Sequence, residues 1–194
     1  MSEQPVINIV GEKVALGPLR RELVPDYHRW ANDFTGRRNE ALPNPVTEEQ
    51  ASQWYEEASR SQHDAYFTIY QSDTLRAVGI ASLRQIDDRN RSAMFAISIG
   101  EPDARGKGHG TETTSLMLDY AFTALGLHSV WLSVYEYNLA GRRAYEKAGF
   151  KECGRRRQAW WMGGRYWDEI YMDCLATEFE SPVLGRIFTP EEAR

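Results

Sequence analysis

Cysteine is nearly absent from this sequence, which contains two in 194 residues, Cys153 and Cys174. Two cysteines cannot build the disulfide framework of a small secreted protein. Neither lies at the short spacing from another Cys or His that zinc sites use. We therefore expect both residues to fill space in the structure, and we expect no metal site.

Long apolar runs and a basic leader are also missing. No hydrophobic stretch approaches the ~20 residues that a helix needs to cross a bilayer. The first residues, Met1 to Pro5, lack the basic segment and the following apolar segment of a secretory signal. These absences predict a cytoplasmic protein without a membrane partner.

The sequence also lacks an excess of positive charge. The sequence carries 23 Lys and Arg against 28 Asp and Glu, which gives a net charge of −5. This balance argues against a general nucleic-acid binder. It is compatible with a cationic substrate, although we favour solubility alone as its cause. The length and the 42% hydrophobic content are those of one globular domain with a sizeable core.

A glycine-rich stretch, Arg105-Gly106-Lys107-Gly108-His109-Gly110-Thr111, lies between a predicted strand and a predicted helix. The amides of such a loop point inward together with the unpaired N–H groups of the first helical turn, where the helix dipole adds positive potential. The sequence therefore predicts a phosphate-binding loop. The spacing does not fit two common nucleotide motifs, because Lys107 precedes Gly108 and because a dinucleotide fingerprint needs a third glycine farther on.

The remaining patterns predict a mixed α/β fold in one domain, with a central sheet of six or seven strands and about four helices. Strands are predicted at residues 6–19 (one strand or a short hairpin), 65–70, 75–85, 92–100, 129–135, 150–161 and 165–175. Helices are predicted at residues 21–34, 47–60, 111–125 and 138–148. The strand–helix–strand unit at 92–135 implies a right-handed crossover and a parallel pair, whereas the strands at 65–100 form an antiparallel meander. We place the domain at residues 1–176 and expect residues 177–194 to be a loosely packed tail.

Two of the helices have strong local signals. Thr47 followed by Gln50 predicts a capping box at the start of the second helix. The helix after the glycine loop carries one continuous apolar stripe that faces the core. The stripe consists of Thr114, Met117, Leu118, Ala121, Phe122 and Leu125.

Two motifs resemble the GCN5-related N-acetyltransferase (GNAT) family, and the resemblance covers residues 14–175. One is the Arg-x-x-Gly-x-Gly pattern of the pyrophosphate loop; the other is an Asn that opens a short helix, with a Tyr seven residues later and then Gly-Phe. The matching positions are Arg105, Gly108, Gly110, Asn138, Tyr145 and Gly149-Phe150. Within the family the sequence looks closest to the branch of the spermidine N-acetyltransferases and the ribosomal-protein N-terminal acetyltransferases, and Tyr145 leans towards the spermidine side.

The resemblance implies acetyl-CoA as the co-substrate and no metal. The glycine loop would wrap the pyrophosphate through Arg105, Gly106, Lys107, Gly108, His109, Gly110 and Thr111. The edge of the preceding strand, at Ile97, Ser98 and Ile99, would pair with the pantetheine amides and offer a backbone N–H to the oxyanion. Asn138 would hydrogen-bond the pantetheine arm, cap its own helix, or do both, and Tyr145 would also contact the bound cofactor.

Tyr145 is the candidate general acid, because a phenol with a pKa of about 10 stays protonated beside a departing thiol with a pKa of about 8.5. The alternative is a tyrosine that only packs. The strand region Met94-Phe95-Ala96, where many relatives have a Glu, contains no carboxylate. The candidate bases are Glu40, in the loop between the first two helices, and Asp87, at a turn near the cleft mouth; bulk water is the third alternative. Glu112 is expected to serve the helix N-terminus instead.

The predicted reaction is a direct transfer of an acetyl group to a primary amine in a ternary complex, with a small amine or a polyamine as the acceptor. A protein N-terminus and an antibiotic amine of the aminoglycoside type are the alternative acceptors. A CoA-binding sensor without catalysis and a nucleotide-phosphate binder are rivals from other classes. A homodimer is compatible with the resemblance, because relatives are often dimers. For the aromatic residues of the final hairpin we favour core packing over a substrate pocket or a dimer face: Trp160, Trp161, Tyr166 and Trp167.

Overall fold

The computed structural model describes residues 4–39 and 44–190 of the chain. The strands are β1 Ile9–Val10, β2 Val14–Pro18, β3 Ala65–Gln71, β4 Ala77–Asp87, β5 Ser92–Ile99, β6 Ser129–Tyr135, β7 Lys151–Met162 and β8 Arg165–Leu175. The helices are α1 Val24–Ala31, α2 Phe34–Arg37, α3 Glu48–Arg60, α4 His109–Asp119, α5 Leu139–Ala148 and α6 Gly185–Phe188. The strands form one sheet in the order β1-β2-β3-β4-β5-β6-β8-β7, in which β5 and β6 are parallel and all other neighbours are antiparallel.

The predicted mixed α/β fold is confirmed, although the described residues form eight strands and six α-helices, more of each than predicted. The extra strand arises because the stretch at 6–19 folds as a hairpin around Gly11-Glu12-Lys13. Helices α2 and α6 have four residues each, too few to show a periodic pattern. The capping box of Thr47 and Gln50 starts α3 as predicted. Among the described helices, none has the length and apolar character needed to span a bilayer.

Helix α4 begins two residues earlier than predicted, at His109, because Gly108 serves as its N-cap with φ of +90°. The helix continues into a π-helical turn, Tyr120–Ala124, in which the Leu125 N–H donates to the Tyr120 carbonyl at 3.1 Å. A π turn adds a residue and rotates the positions that follow it. Leu125, predicted on the apolar stripe, is therefore 39% exposed.

The parallel strands β5 and β6 separate after a short contact. Backbone pairing joins residues Ser92–Met94 to Ser129–Trp131 and stops there. β5 continues to Ile99 with no strand of the described residues beside this edge, while β6 is held on its other side by β8 over its whole length. A gap therefore opens in the middle of the sheet, and its β5 wall carries backbone N–H and C=O groups that need partners.

The segment after β8, which we predicted to be a loosely packed tail, contacts the end of α4 at residues 181–184. The fully buried Asp119 carboxylate accepts hydrogen bonds from the backbone N–H groups of Val183 (2.9 Å) and Leu184 (2.8 Å) and from the Ser181 hydroxyl (2.6 Å). Leu184 is 3% exposed and joins the main core. Proline and glycine signals mark where helices and strands stop, but they do not show whether the chain beyond them packs.

We expect Asp119→Ala to lower the free energy of unfolding by about 3 kcal/mol, because it leaves two backbone N–H groups beside the core without an acceptor. Urea unfolding followed by circular dichroism measures this change. Asp73→Ala, in the exposed turn after β3, is the control and should change the free energy by less than about 0.5 kcal/mol. An unchanged urea midpoint for Asp119→Ala would show that the hydrogen bonds of Asp119 to the last segment add nothing to stability.

Candidate active site

A cavity of about 450 Å³ fills the gap between β5 and β6. β5 lines it with residues 94–98, β6 with Leu132, Ser133 and Tyr135, and α5 with Tyr145. Ile97 and Ser98 of the predicted cofactor-binding strand edge are in this lining, and Ile99 continues the same strand. The structure thus brings the predicted strand edge and the predicted general acid to one cleft.

Helix α5 positions Tyr145 at this cavity. The Asn138 side-chain oxygen caps the helix by accepting a hydrogen bond from the Gly141 N–H at 3.0 Å. The Tyr145 ring packs edge-on against Phe95, with ring centroids 6.2 Å apart, and against Phe150 at 6.1 Å. Because both contacts are made by the ring, the direction of the phenol is set by core packing.

The glycine loop has an open face. A Cβ at Gly106 or at Gly110 would meet no atom within 4 Å. Gly106 and Gly108 have φ of +74° and +90°, which side-chain-bearing residues rarely adopt. Within the described residues no side chain caps α4, so the N–H groups of its first turn, which includes Gly110 and Thr111, are available to a ligand at the positive end of the helix dipole.

The side chains of Arg105, Lys107 and His109 in the glycine loop differ in their burial and in their contacts. Arg105 donates to the Ile99 carbonyl (2.9 Å) and forms an ion pair with Asp33 (2.8 Å), so its guanidinium fixes the end of β5 against the first helices. Lys107 is exposed. His109 is buried, and its Nδ1 has no hydrogen-bond partner among residues 4–39 and 44–190. Of the three side chains, Lys107 is the exposed one, and it can reach a bound phosphate.

A further cation lies beside the glycine loop and comes from the β1–β2 turn. The Glu112 carboxylate, in the first turn of α4, accepts hydrogen bonds from the backbone N–H groups of Glu12 (2.7 Å), Lys13 (2.7 Å) and Val14 (2.8 Å). Glu112 lies in the first turn of α4, as predicted, and in addition ties the β1–β2 turn to this helix. The Lys13 ammonium lies 3.1 Å from the point where a Cβ on Gly108 would stand.

Neither predicted base lines the cavity within the described residues. Glu40 lies outside the described ranges. Asp87 ends β4, where its carboxylate accepts hydrogen bonds from the Asn90 backbone N–H (2.9 Å) and side-chain amide (2.7 Å). These hydrogen bonds hold the pKa of Asp87 below its usual range, which makes it a weaker base at neutral pH. The structure does not bring Asp87 together with Tyr145.

The charged side chains that line the cavity, among the described residues, are two arginines, Arg37 and Arg84. Arg84 lies on β4 opposite Met94 of β5. Its Nε is buried and has no hydrogen-bond partner in the described part of the chain. Nothing in the sequence motifs singled out these arginines, because an arginine in a strand is ordinary until the neighbouring wall is known.

A second cavity of about 370 Å³ adjoins the first and shares both arginines with it. The rest of its wall is mostly apolar and includes Tyr27, Trp30, Ala31, Val46, Ala51, Trp54 and Ile80. The Tyr27 hydroxyl is 2.8 Å from the Thr68 hydroxyl, and the Trp30 indole N–H donates to Glu101 at 2.8 Å. The two cavities together form a cleft with a cationic part and an aromatic part.

The aromatic residues of the final hairpin do not pack in the core, which corrects that prediction. Trp161 and Tyr166 are each 59% exposed and contact each other, with centroids 4.9 Å apart. Trp160 instead stacks at 4.6 Å on Tyr135, which lines the first cavity. The reason is topological: β7 is the edge strand, so the tip of this hairpin lies at the margin of the sheet.

Tyr137, which the motifs did not single out, joins this hairpin to the N-terminal helices. Its hydroxyl donates to the Arg38 carbonyl at 2.9 Å, and its ring packs against Trp167 at 5.3 Å. Burial raises the pKa of Tyr137 to about 12, so the phenol remains a neutral donor at physiological pH. Tyr137 thereby fixes the segment that follows α2 against the wall of the cleft.

Comparison with known proteins agrees with this architecture. A family model for the acetyltransferase (GNAT) domain matches residues 13–151. Spermidine N(1)-acetyltransferase of Escherichia coli strain K12 is 30% identical over 177 residues, which are 91% of this chain and 91% of that protein. Spermidine N(1)-acetyltransferase of Vibrio cholerae is 35% identical over 102 residues, which are 53% of this chain and 58% of that protein.

A solved structure extends the likeness to three dimensions. The crystal structure of spermidine N-acetyltransferase from Vibrio cholerae in complex with CoA and spermine matches with a TM-score of 0.78 at 26% identity, over 86% of this chain and 97% of that one. The region matched by the family model holds the glycine loop, the β5–β6 gap and α5. The chain therefore belongs to the GNAT family of acetyltransferases and is an acyltransferase enzyme.

Proposed function

We propose that this enzyme is an acetyl-CoA-dependent N-acetyltransferase that transfers the acetyl group directly to the primary amine of a small molecule. One observation carries the proposal: the unpaired edge of β5 and Tyr145 border the gap between β5 and β6, and the open glycine loop follows the end of that same strand and leads into α4. The phosphate site suits the pyrophosphate of acetyl-CoA, and the unpaired strand edge suits its pantetheine amides. The phenol suits the thioester. The Vibrio cholerae relative, whose complex contains CoA, supports this choice.

In this proposal the cofactor is held mainly by backbone groups. The N–H groups of the glycine loop and of the first turn of α4 bind the pyrophosphate. The pantetheine amides pair with β5 at Ile97, Ser98 and Ile99 as an added strand would, and one N–H of this edge stabilises the oxyanion. Asn138 uses its oxygen to cap α5, which leaves its NH₂ group for the pantetheine arm.

The chemical step joins the amine nitrogen to the thioester carbonyl carbon and breaks the carbon–sulfur bond. The departing thiolate needs a proton, and Tyr145 on the cavity wall is the proposed donor. Both substrates occupy the cleft at once, because the β5 edge of the first cavity and the glycine loop hold acetyl-CoA while the rest of the first cavity and the second cavity remain for the acceptor. No covalent acetyl-enzyme is required.

The acceptor must also lose a proton, since an alkylammonium has a pKa of about 10.4. Arg37 and Arg84 bring positive charge to the cleft, and like charge lowers the pKa of an ammonium nearby. The amine can therefore release its proton to water before it attacks. This route uses neither Glu40 nor Asp87, the two predicted bases.

An assay of thiol release from acetyl-CoA tests the proposal. The amine panel begins with spermidine and spermine, because the relatives are spermidine acetyltransferases. It also includes amino acids, aminoglycosides and short peptides. Titration calorimetry with acetyl-CoA is run in parallel. Tight binding of acetyl-CoA without thiol release in the presence of any amine would favour a CoA-binding sensor. If acetyl-CoA does not bind, the proposed cofactor is wrong.

The Lys13 ammonium beside Gly108 gives a prediction about the phosphate site. We expect Lys13→Met to raise the KM for acetyl-CoA about 10-fold, the effect of losing one charge-assisted contact of roughly 1.4 kcal/mol. The KM for acetyl-pantetheine, which lacks the nucleotide phosphates, should not change. Lys147→Met, in the last turn of α5, is the control. Equal losses with both thioesters would show that Lys13 acts on the fold of the loop and not on phosphate.

A further inference from the structure

We infer that the acceptor is a primary amine that also carries a carboxylate, and that Arg84 binds this carboxylate. The inference rests on the proposed acetyl transfer and names its substrate class. It begins from charge: among the described residues, both cavities have arginines as their charged lining and no Asp or Glu. A polycation meets repulsion in such a cleft, whereas a carboxylate meets a planar donor fork that matches its geometry.

Arg84 differs from the other arginines near the cleft. Arg29 and Arg105 have carboxylate partners, Glu101 and Asp33 respectively. Arg84 forms no ion pair within residues 4–39 and 44–190, and its Nε is buried there without an acceptor. A buried donor without a partner destabilises the protein, so an incoming carboxylate that satisfies it binds with a large advantage. Buried polar groups without a partner are few in native structures, and a role in binding or catalysis is one explanation for each of them.

The position of Arg84 also orients the acceptor. Arg84 lines both cavities: the first contains Tyr145 and the β5 edge, and the second contains the aromatic wall of Tyr27, Trp30 and Trp54. A molecule with its carboxylate on Arg84 can direct its amine to the thioester in the first cavity and its apolar body into the second. An amine, a carboxylate and an apolar group on one small framework describe an amino acid with an aromatic or aliphatic side chain.

The reaction balances without a further reactant. The ammonium of the amino acid gives one proton to water, and the free amine attacks the thioester carbonyl carbon. The C–N bond forms as the C–S bond breaks, and the thiolate takes a proton from Tyr145. The nitrogen loses its second proton to solvent, which returns a proton to Tyr145, so the products are an N-acetylamino acid, CoA and one released proton.

The test compares amines that differ by the carboxyl group alone. Phenylalanine is paired with phenethylamine, tryptophan with tryptamine, leucine with isoamylamine, and spermidine is assayed beside them. We expect the amino acid of at least one pair to exceed its partner in kcat/KM by about 10- to 100-fold, as one charge-assisted bidentate contact allows. Arg84→Met should remove this preference while the KM for acetyl-CoA stays unchanged. Arg60→Met, an exposed arginine at the end of α3, is the matched control and should keep the preference.

Each other outcome counts against the inference and has its own consequence for the proposed acetyl transfer. If spermidine or the amines without a carboxyl group are preferred, the acceptor class is wrong and the proposed acetyl transfer stands. If the preference for amino acids survives in Arg84→Met, the carboxylate binds elsewhere. If no amine releases thiol although acetyl-CoA binds, both the inference and the proposed transfer fail.

Discussion

Replacing Tyr145 by Phe is expected to lower kcat about 10³-fold, because general-acid catalysis by one positioned side chain contributes roughly 10²- to 10⁴-fold. The substitution removes the hydroxyl and keeps the ring. The edge contacts with Phe95 and Phe150 are ring contacts, so the fold around α5 should survive. The Kd for acetyl-CoA should change little, since the proposed role concerns the departing thiolate and not the bound thioester.

Steady-state kinetics with the best amine of the panel, and calorimetry with acetyl-CoA, measure the two quantities separately. Tyr120→Phe is the control: Tyr120 packs edge-on against Phe67 in the main core, away from the cleft lining. It should keep kcat near the wild-type value. A wild-type kcat in Tyr145→Phe would show that the thiolate leaves without this proton, and Tyr145 would then be a packing residue of α5.

The parts of the fold that the sequence predicted are those set by neighbours in the chain. Thr47 and Gln50 cap α3 because three residues separate a hydroxyl from an amide side chain, whatever lies beyond. Gly163-Gly164 turns the last hairpin, since both residues adopt positive φ. The same local logic placed Asn138 at the start of α5 and Tyr145 on it. Structure that depends on residues within about one turn of the chain can therefore be predicted from the sequence.

The parts that the sequence did not predict depend on contacts between distant residues. Glu112 reaches the backbone of residues 12–14, and Asp119 reaches Val183 and Leu184. A carboxylate in a helix looks the same in sequence whether it faces water or a distant backbone. Leu125 was misplaced for a different reason, because a π turn interrupts the helical period without any signal in residue type.

The acceptor side of the cleft illustrates the same limit at the candidate site. The motif pattern predicts where the cofactor binds, since a glycine-rich loop at a helix start is a favourable phosphate site. It contains no motif for the acceptor, because the arginines come from α2 and β4 and the aromatic wall from α1 and α3. Substrate choice in one fold varies through such positions. This explains how a chain can share its family with spermidine acetyltransferases and still have a cationic cleft.

Gly110→Val is expected to weaken acetyl-CoA binding at least about 100-fold, because two charge-assisted hydrogen bonds to phosphate, each worth roughly 1.5 kcal/mol, would be lost. A Cβ at Gly110 meets nothing within 4 Å in the protein itself, and its φ is not in the left-handed region. The side chain therefore enters the space that the proposed phosphate occupies. Stability should change by less than about 1 kcal/mol, the range of helix propensity.

Calorimetry gives the Kd, and thermal unfolding without ligand shows whether the fold is intact. Gly154→Val in β7 is the matched control, since a Cβ there also meets no atom within 4 Å and the residue lies far along the sheet from α4. It should leave acetyl-CoA binding unchanged. If Gly110→Val unfolds at the wild-type temperature and still binds acetyl-CoA tightly, the phosphates bind elsewhere. A valine side chain and a pyrophosphate held by the loop amides could not share the open face of this loop.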